Sequence, residues 1–197
     1  MTNNNFSPLA DHNEESDESL VRLTLESQAN FAYLIRRYKD KLFYYIKRIS
    51  GFPEEEIEDI LQDVFLKVYK NLNSFNDDSK FSSWIYGIAH NETISAYRKK
   101  RSRPQKTDLE VDDDGVEKIS SGFDLEKEIS DKMTGEEIVA TLQEMEDKYR
   151  EIIVLKFFEG LDYKEISDVI KKPMGTVASL MNRAKKEFKK KFDQNKL

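Results

Sequence analysis

The sequence predicts an all-α protein in which a flexible acidic segment joins two small helical domains. Of its 197 residues only 7 are glycine and 4 are proline, fewer than the frequent turns of a β-sandwich require. Apolar residues recur every three or four positions over residues 31–72, 81–97 and 135–188, the spacing of one helix face. Residues 104–133 lack that spacing and carry ten acidic residues against four lysines. A segment of this length without periodicity separates two modules.

Composition and charge exclude several classes of protein. The sequence has no cysteine, so neither a disulfide nor a cysteine-ligated zinc can stabilise it. No apolar run approaches the length of a membrane span and the first residues do not resemble a signal peptide, so we expect a soluble cytoplasmic protein. The net charge is −6, yet residues 171–197 carry nine basic residues against two acidic ones. Cations clustered within an acidic chain indicate a localised nucleic-acid contact.

The N-terminal domain is predicted to span residues 17–103, after a disordered acidic tail at residues 1–16. A short first helix starts at Asp17 or Ser19. A second helix keeps its apolar spacing from Phe31 to Ile49 and ends at Gly51.

A third helix is predicted over residues 54–72, with acidic residues in the first turn, where the helix dipole favours them. Its predicted buried stripe consists of Ile57, Ile60, Leu61, Val64, Phe65, Val68 and Leu72. Asp59, Gln62, Asp63 and Leu66 share a different face. From the residues alone, this face is an ordinary solvated surface.

The helix that begins near residue 81 is predicted to have two apolar faces. Phe81, Trp84, Ile85, Ile88 and Ala89 form a stripe suited to packing. The second, partly aromatic face, which a core does not require, consists of Tyr86, His90, Ile94 and Tyr97. It leads into the cations Arg98, Lys99, Lys100, Arg101 and Arg103. Aromatic rings beside cations bind unstacked bases and phosphates, although a solvated helix end explains the cations equally well.

The C-terminal domain is predicted to span residues 134–194 and to contain a helix-turn-helix. Thr134 and Asp162 each stand three residues before a glutamate, the pattern of a capping box. A short helix after Asp162, a turn at residues 171–175 and a long basic helix complete the motif. Its second helix would enter the major groove with Lys172, Thr176, Ser179, Asn182, Arg183 and Lys186. A helical hairpin with a lysine-rich solvated end is the alternative.

Four ordered motifs resemble the sigma-70 family of bacterial RNA polymerase sigma factors, in the two-domain extracytoplasmic-function form. FxxLIxxYxxxLxxYxxRxxG, from Phe31 to Gly51, is similar to the start of that family's region 2. EDILQDVFLKVY resembles its polymerase-binding helix, and FSSWIYGIAHN with the basic run resembles its promoter-melting helix. The stretch EGLDYKEISDVIKKPMGTVASLMNRAKKEF resembles region 4. The resemblance covers about residues 17–101 and 136–192.

The resemblance implies a subunit that binds core RNA polymerase and directs promoter-specific initiation. Asp59, Gln62 and Asp63, with Leu66 on the same face, match positions that bind the β′ clamp helices, and region 4 implies contact with the β flap. For the −10 element, Asn91 and the loop from Phe75 match the pocket for a flipped base, beside Tyr86, His90 and Tyr97. The basic run from Arg98 to Arg101 would hold the adjacent backbone. The last helix would read the −35 element as duplex.

The resemblance also implies an anti-sigma factor as a partner, and it implies no cofactor, metal or small-molecule substrate. The acidic linker would lie in the RNA exit path of the polymerase. Ala178 and Leu180 stand where the family commonly has basic residues, so two contacts to the −35 element are missing. Lys171 replaces a common glycine, so the turn there needs a positive φ or a different geometry. Met145-Glu146 and Ser27-Gln28 replace a frequent Leu-Pro and Gly-Asp.

Two other classes of function explain less of the sequence. A stand-alone helix-turn-helix regulator explains residues 160–190 but leaves the outer face of the third helix and the basic run without a purpose. An enzyme is not expected, because neither His12 nor His90 stands in a nucleophile–base, metal-ligand or phosphate-loop pattern.

Overall fold

A computed structural model describes residues 15–76, 79–100 and 134–195, and every regular element in these ranges is helical. The N-terminal unit contains α1 (Asp17–Glu26), α2 (Phe31–Ser50), α3 (Glu54–Asn71) and α4 (Phe81–Lys100). The C-terminal unit contains α5 (Gly135–Gln143), α6 (Asp147–Ile153), α7 (Tyr163–Ile170) and α8 (Met174–Asn195). A π-helical segment, Val154–Phe158, continues α6. The predicted all-α fold class is confirmed, and residues 1–14 and the predicted linker lie outside the described residues.

The helix ends follow local chemistry. Thr134 and Asp162 form the predicted capping boxes, in which each side chain accepts from the backbone N–H three residues on. Gly51 ends α2 in the left-handed conformation, at φ 66°. Lys171 ends α7 at φ 54°, so of the two alternatives that the sequence left open the structure has the positive φ. Helix α1 begins at Asp17, one of the two predicted starts, and the side chain of Ser16 caps it.

The core of the N-terminal unit lies between α2, α3 and α4. The predicted stripe of α3 is buried except for Phe65, which is half-buried. On α4, Phe81 and Ile85 are fully buried, and the Phe81 ring lies 5.6 Å from the Tyr38 ring of α2. Each fully buried side chain of this size contributes about 1.5–3 kcal/mol, so this apolar face holds α4 on the unit.

A buried arginine organises the C-terminal unit. The side chain of Arg150 donates to the carbonyls of Leu142, Gln143 and Met145 around the α5–α6 turn, at 2.7, 3.1 and 2.8 Å. A fourth bond, 2.8 Å long, reaches the carbonyl of Ile49 at the end of α2. Arg150 therefore donates hydrogen bonds to backbone carbonyls that have no partner within their helix, at the end of α5 in its own unit and at the end of α2 in the other unit.

The two units pack against each other. Their most extensive contact is between α4 and α7, where an added Cβ on Gly87 would lie 3.8 Å from the carbonyl oxygen of Val169. Helix α2 contacts α5, α6 and the π-helical segment. Buried apolar residues of both units form one continuous cluster. The units thus share a core in this structure, whereas the sequence suggested two separately tethered bodies.

Candidate nucleic-acid interface

The outer face of α3 is open. Asp59, Gln62 and Asp63 are exposed, and Leu66 is 54% exposed. These side chains lie at helical spacing, opposite the buried stripe. The neighbouring Tyr69 is 39% exposed, although its ring packs 5.2 Å from that of Phe31. The structure brings the four predicted residues together as one acidic and apolar surface.

The start of α4 carries an aromatic cluster. The ring of Phe75 lies 5.4 Å from that of Phe81 and 5.5 Å from that of Trp84. Phe75 is half-buried, whereas Asn91, almost three turns after Phe81, is exposed. Residues 77–78 of the predicted base pocket lie outside the described residues. Phe75 lies in the segment before α4 and Asn91 lies on α4 itself, and no hydrogen bond within the described residues joins them.

The second face of α4 is covered by the C-terminal unit at Tyr86. The Tyr86 side chain is 3% exposed, and its hydroxyl donates to Glu159, just after the π-helical segment. Another oxygen of that carboxylate lies 3.4 Å from Arg48 on α2. The Arg48 guanidinium stacks on Phe158, 4.7 Å from the ring centroid. Burial, followed by the nearby charge of Glu159, raises the pKa of Tyr86, so its hydroxyl stays a donor.

One turn further along α4, His90 is covered in the same way. Its Nδ1 lies 2.5 Å from Oε1 of Glu151, and the same oxygen accepts from the hydroxyl of Tyr45 at 2.6 Å. Burial alone would lower the pKa of His90, but the charge of Glu151 and the hydrogen bond to it raise that pKa above the usual 6.5. Burial also raises the pKa of Glu159 above 4.5.

Tyr97 is also covered, but within its own unit. Its ring lies 4.6 Å from that of Phe52, and its hydroxyl donates to the Ser50 carbonyl at 2.7 Å. Tyr86, His90 and Tyr97 are therefore covered in this conformation, the first two by the C-terminal unit and the third within its own unit. The physical reason is that these polar side chains form hydrogen bonds to groups far away in the sequence: the carboxylates of Glu159 and Glu151 and the carbonyl of Ser50. The promoter role of the three residues stays a prediction.

The basic end of α4 is exposed at Arg98, Lys99 and Lys100. Lys100 donates to both carboxylate oxygens of Glu56, at 2.7 and 3.0 Å, and lies 4.9 Å from the centroid of the Phe52 ring. An exposed ion pair of this kind contributes little and exchanges readily for a phosphate. Arg101 lies outside the described residues.

The predicted major-groove residues lie in the turn before α8 and on α8 as far as Lys186. Lys186 is exposed, and the other five are half-buried: Lys172, Thr176, Ser179, Asn182 and Arg183. The hydroxyl of Ser179 donates to the Thr176 carbonyl at 2.9 Å. Leu180 is only 7% exposed and belongs to the core, as its apolar spacing indicated. Its position therefore offers no place for a basic contact.

Sequence reasoning missed Arg48, Arg150, Glu151 and Glu159. The glutamates looked like ordinary polar positions around the apolar run of residues 152–158. The one signal was the change in spacing within that run, where a π-helical turn shifts the register. Within the described residues no three His, Asp or Glu side chains are grouped to hold a metal, and no helix is long and apolar enough to span a membrane.

Comparisons with known proteins show which family the chain belongs to. Residues 34–103 match the family description sigma-70 region 2, and residues 135–188 match sigma-70 region 4. The ECF RNA polymerase sigma factor SigW of Bacillus subtilis (strain 168) is 33% identical over 175 residues, which are 84% of this chain and 90% of SigW. This chain belongs to the extracytoplasmic-function sigma factors of the sigma-70 family.

The sigma factor resembles other relatives over most of its length. It is 33% identical to the ECF RNA polymerase sigma-E factor of Escherichia coli (strain K12), over 89% of this chain and 94% of the relative. The sigma factor RpoE from Bartonella quintana, solved with the anti-sigma factor NepR, superposes with a TM-score of 0.63 at 20% identity. That match covers 83% of this chain and 97% of the other, and it shows the fold alone. Because both regions match in order, the stand-alone regulator is not favoured.

Proposed function

We propose that this sigma factor binds core RNA polymerase through the outer face of α3 and directs initiation at promoters read at two elements. The observation that carries the proposal is the exposed face of Asp59, Gln62, Asp63 and Leu66 within the part of the chain that matches sigma-70 region 2. A compact patch with apolar and charged members is typical of a specific interface.

At the −10 element, we propose that Asn91 and the aromatic cluster at Phe75 receive a base flipped from the non-template strand. Extruding a base costs a few kcal/mol of unstacking, and capture of that base offsets the cost and favours the open duplex. The exposed cations from Arg98 to Lys100 would hold the neighbouring phosphates, with Arg101 beyond them. Tyr86 and His90 would join this surface once the C-terminal unit uncovers them, and Tyr97, half-buried within its own unit, would contribute its accessible part.

At the −35 element, the start of α8 would enter the major groove of duplex DNA. Thr176, Ser179 and Asn182 would contact base edges, and Lys172, Arg183 and Lys186 would contact phosphates or bases. Leu180 is buried and Ala178 has no polar atom in its side chain, so recognition rests on fewer side chains than the family pattern provides.

The proposed partners follow from the same surfaces. Core RNA polymerase would contact this chain through its β′ clamp helices and β flap, and an anti-sigma factor would compete for these surfaces, as the NepR complex of the B. quintana relative suggests. The proposed site of action is the cytoplasm, where the polymerase transcribes. The chain itself would supply binding energy rather than catalysis.

Reconstituted transcription tests the proposal. Core RNA polymerase would be incubated with genomic DNA, with and without this chain, and the 5′ ends of the transcripts sequenced. We expect chain-dependent start sites that share two sequence blocks, near −10 and −35. A complete absence of chain-dependent starts would contradict the proposed function.

A further inference from the structure

Two carboxylates of the C-terminal unit each join two helices of the N-terminal unit. Glu151 contacts Tyr45 of α2 and His90 of α4. Glu159 contacts Arg48 of α2 and Tyr86 of α4. The partners on α4 are four residues apart, and those on α2 are three apart, so the contacts form two parallel rungs. We call these four contacts the carboxylate latch.

The π-helical segment is what aligns the two rungs. Glu159 follows Glu151 by eight residues, which in a regular α-helix would place it about 80° away around the axis. In the segment Val154–Phe158 the backbone bonds span five residues, and the N–H of Glu159 donates to the carbonyl of Val154 at 3.1 Å. This wider turn returns Glu159 to the side of Glu151. π-Helical turns are rare and frequently mark functional positions.

The latch is buried and strongly polar. The side chains of Glu159 and Glu151 are 5% and 12% exposed, and that of His90 is 18% exposed. Carboxylates at such positions are stable only while their hydrogen-bond donors remain in place. A contact held this way is rigid when complete and separates as a unit when one partner leaves.

The donors that the latch occupies belong to the predicted promoter surface. The Tyr86 hydroxyl and the His90 imidazole on α4 donate hydrogen bonds to negatively charged carboxylate oxygens. The phosphates of a nucleic-acid strand present negatively charged oxygens that can accept the same hydrogen bonds. While Glu151 and Glu159 lie on Tyr86 and His90, no strand can reach those side chains. The C-terminal unit therefore competes with the −10 strand for one face of α4.

We propose that Glu151 and Glu159 form an autoinhibitory latch, which closes the C-terminal unit over the promoter face of α4 in the free chain and opens on core polymerase. This inference rests on the proposed −10 role of Tyr86 and His90. It assigns a regulatory function to two residues of the C-terminal unit that contact neither promoter element.

The latch is tested first by removing its charge in the full-length chain. The Glu151→Gln/Glu159→Gln variant and the wild type would be titrated against a fluorescein-labelled single strand that carries the −10 block found by transcription. The control, Glu136→Gln/Glu144→Gln, removes the same charge from exposed positions of the same unit. We expect the latch variant to bind the strand about tenfold more tightly than the control, because charged hydrogen bonds of this kind are lost only in the former.

Closure itself is measured without DNA. The natural chain has no cysteine, so Ser79→Cys/Lys164→Cys places the only two thiols on opposite sides of one cleft between the units. A short, reducible bismaleimide would join them in the closed form. We expect the latch substitutions to lower the yield of this cross-link severalfold, with circular dichroism showing unchanged helix content. An unchanged yield would overturn the latch.

The cross-linked chain supplies the converse test. Locked closed, it should bind the −10 strand at least tenfold more weakly, and reduction of the linker should restore binding. Binding of the −10 strand by the locked chain as tightly as by the unlocked chain would overturn the inference. The inference would also be overturned if the latch variant gave a lower cross-link yield but did not bind the strand more tightly. Neither result bears on whether the wild type supports initiation, which the transcription experiment decides separately.

Discussion

The outer face of α3 and the second face of α4 lie in opposite surroundings within the same unit. Asp59 and Asp63 on α3 are exposed, whereas Tyr86 and His90 on α4 are covered by Glu159 and Glu151. Both faces lie off a buried apolar stripe. The C-terminal unit covers the polar ends of Tyr86 and His90, while the rings of Tyr45 and Phe52 in the N-terminal unit pack against those of Tyr86 and Tyr97. In the free chain, the surface proposed for polymerase is available and part of the surface proposed for the promoter is not.

This difference suggests an order of events. Polymerase can engage α3 while the latch is closed, and promoter binding requires a second step in which the units separate. Domains of one chain commonly move relative to one another, and in this chain such a step would separate both the polar contacts of the latch and the apolar cluster that the units share. If core polymerase binds the open form of the chain more tightly than the closed form, its binding shifts the equilibrium toward the open form by that difference in affinity.

The largest expected effect comes from the buried arginine that supports the covered face. Arg150→Ala leaves four backbone carbonyls without their donor, including that of Ile49 in the other unit. We expect a loss of about 3 kcal/mol and a melting temperature about 10 °C lower, measured by circular dichroism. Lys148→Ala, a partly exposed change on the same helix, is the control. A shift no larger than that of the control would show that Arg150 does not join the units.

The open face is tested by reversing its charge. Asp59→Arg/Asp63→Arg should weaken binding to core polymerase about 30-fold or more, since such losses are typical of residues central to an interface. Both residues are exposed, so thermal unfolding should not change. Asp40→Arg on the exposed side of α2 is the matched control. Equal polymerase affinity for the double variant and this control would remove α3 from the proposed interface.

The DNA-reading half of the C-terminal unit should be separable from its latch. Asn182→Ala should reduce discrimination between the natural and a mutated −35 block about tenfold, because one base contact contributes about 1–3 kcal/mol. Lys190→Ala, at an exposed position near the end of α8, should weaken binding to both sequences by the same small factor. Promoter binding by holoenzyme, measured at fixed salt, distinguishes the two. Equal discrimination by all three proteins would place the reading surface elsewhere.

The smallest expected effect is a pH dependence of closure. Glu151 raises the pKa of His90 above 6.5, so the contribution of this pair is complete below that pH and is lost as the pH rises through the raised pKa. Burial also raises the pKa of Glu159 above its usual 4.5, because it disfavours the charged carboxylate. Closure is therefore weakened as the pH rises through this raised pKa as well. The pKa of Tyr45 is raised by burial, so this neighbour stays neutral.

Fluorescence transfer between labels on the two units, followed from about pH 6 to about pH 9, should therefore show gradual opening. His90→Gln should flatten the curve while leaving the helix content unchanged. A curve of the same shape in the variant would assign the dependence to other groups.

Much of the fold was predictable because it depends on local signals. The stripes of α2 and α3, the capping boxes at Thr134 and Asp162 and the left-handed ends at Gly51 and Lys171 each involve residues within a few positions of one another. Family membership followed from the order of such motifs. The domain boundaries at residues 17, 103, 134 and 194 and the assigned site roles stay predictions.

The contact between the units could not be predicted for a physical reason. His90 and Glu151 are 61 positions apart, and no periodicity connects two helices that meet only in the folded chain. The π-helical turn after Ile153 also removes the regular spacing that would have grouped Glu159 with Glu151. No local pattern therefore indicated that part of the aromatic side of α4 faces the same chain.

The most direct test is the distance between the two units in the free and polymerase-bound chain. Spin labels at Asp40→Cys on α2 and Lys190→Cys on α8, both at exposed positions, would report it by pulsed electron resonance. We predict a single short distance in the free wild type, a longer one on core polymerase, and a mixture in free Glu151→Gln/Glu159→Gln. The same distance in all three samples would contradict a promoter face that is closed in the free chain and opened by polymerase.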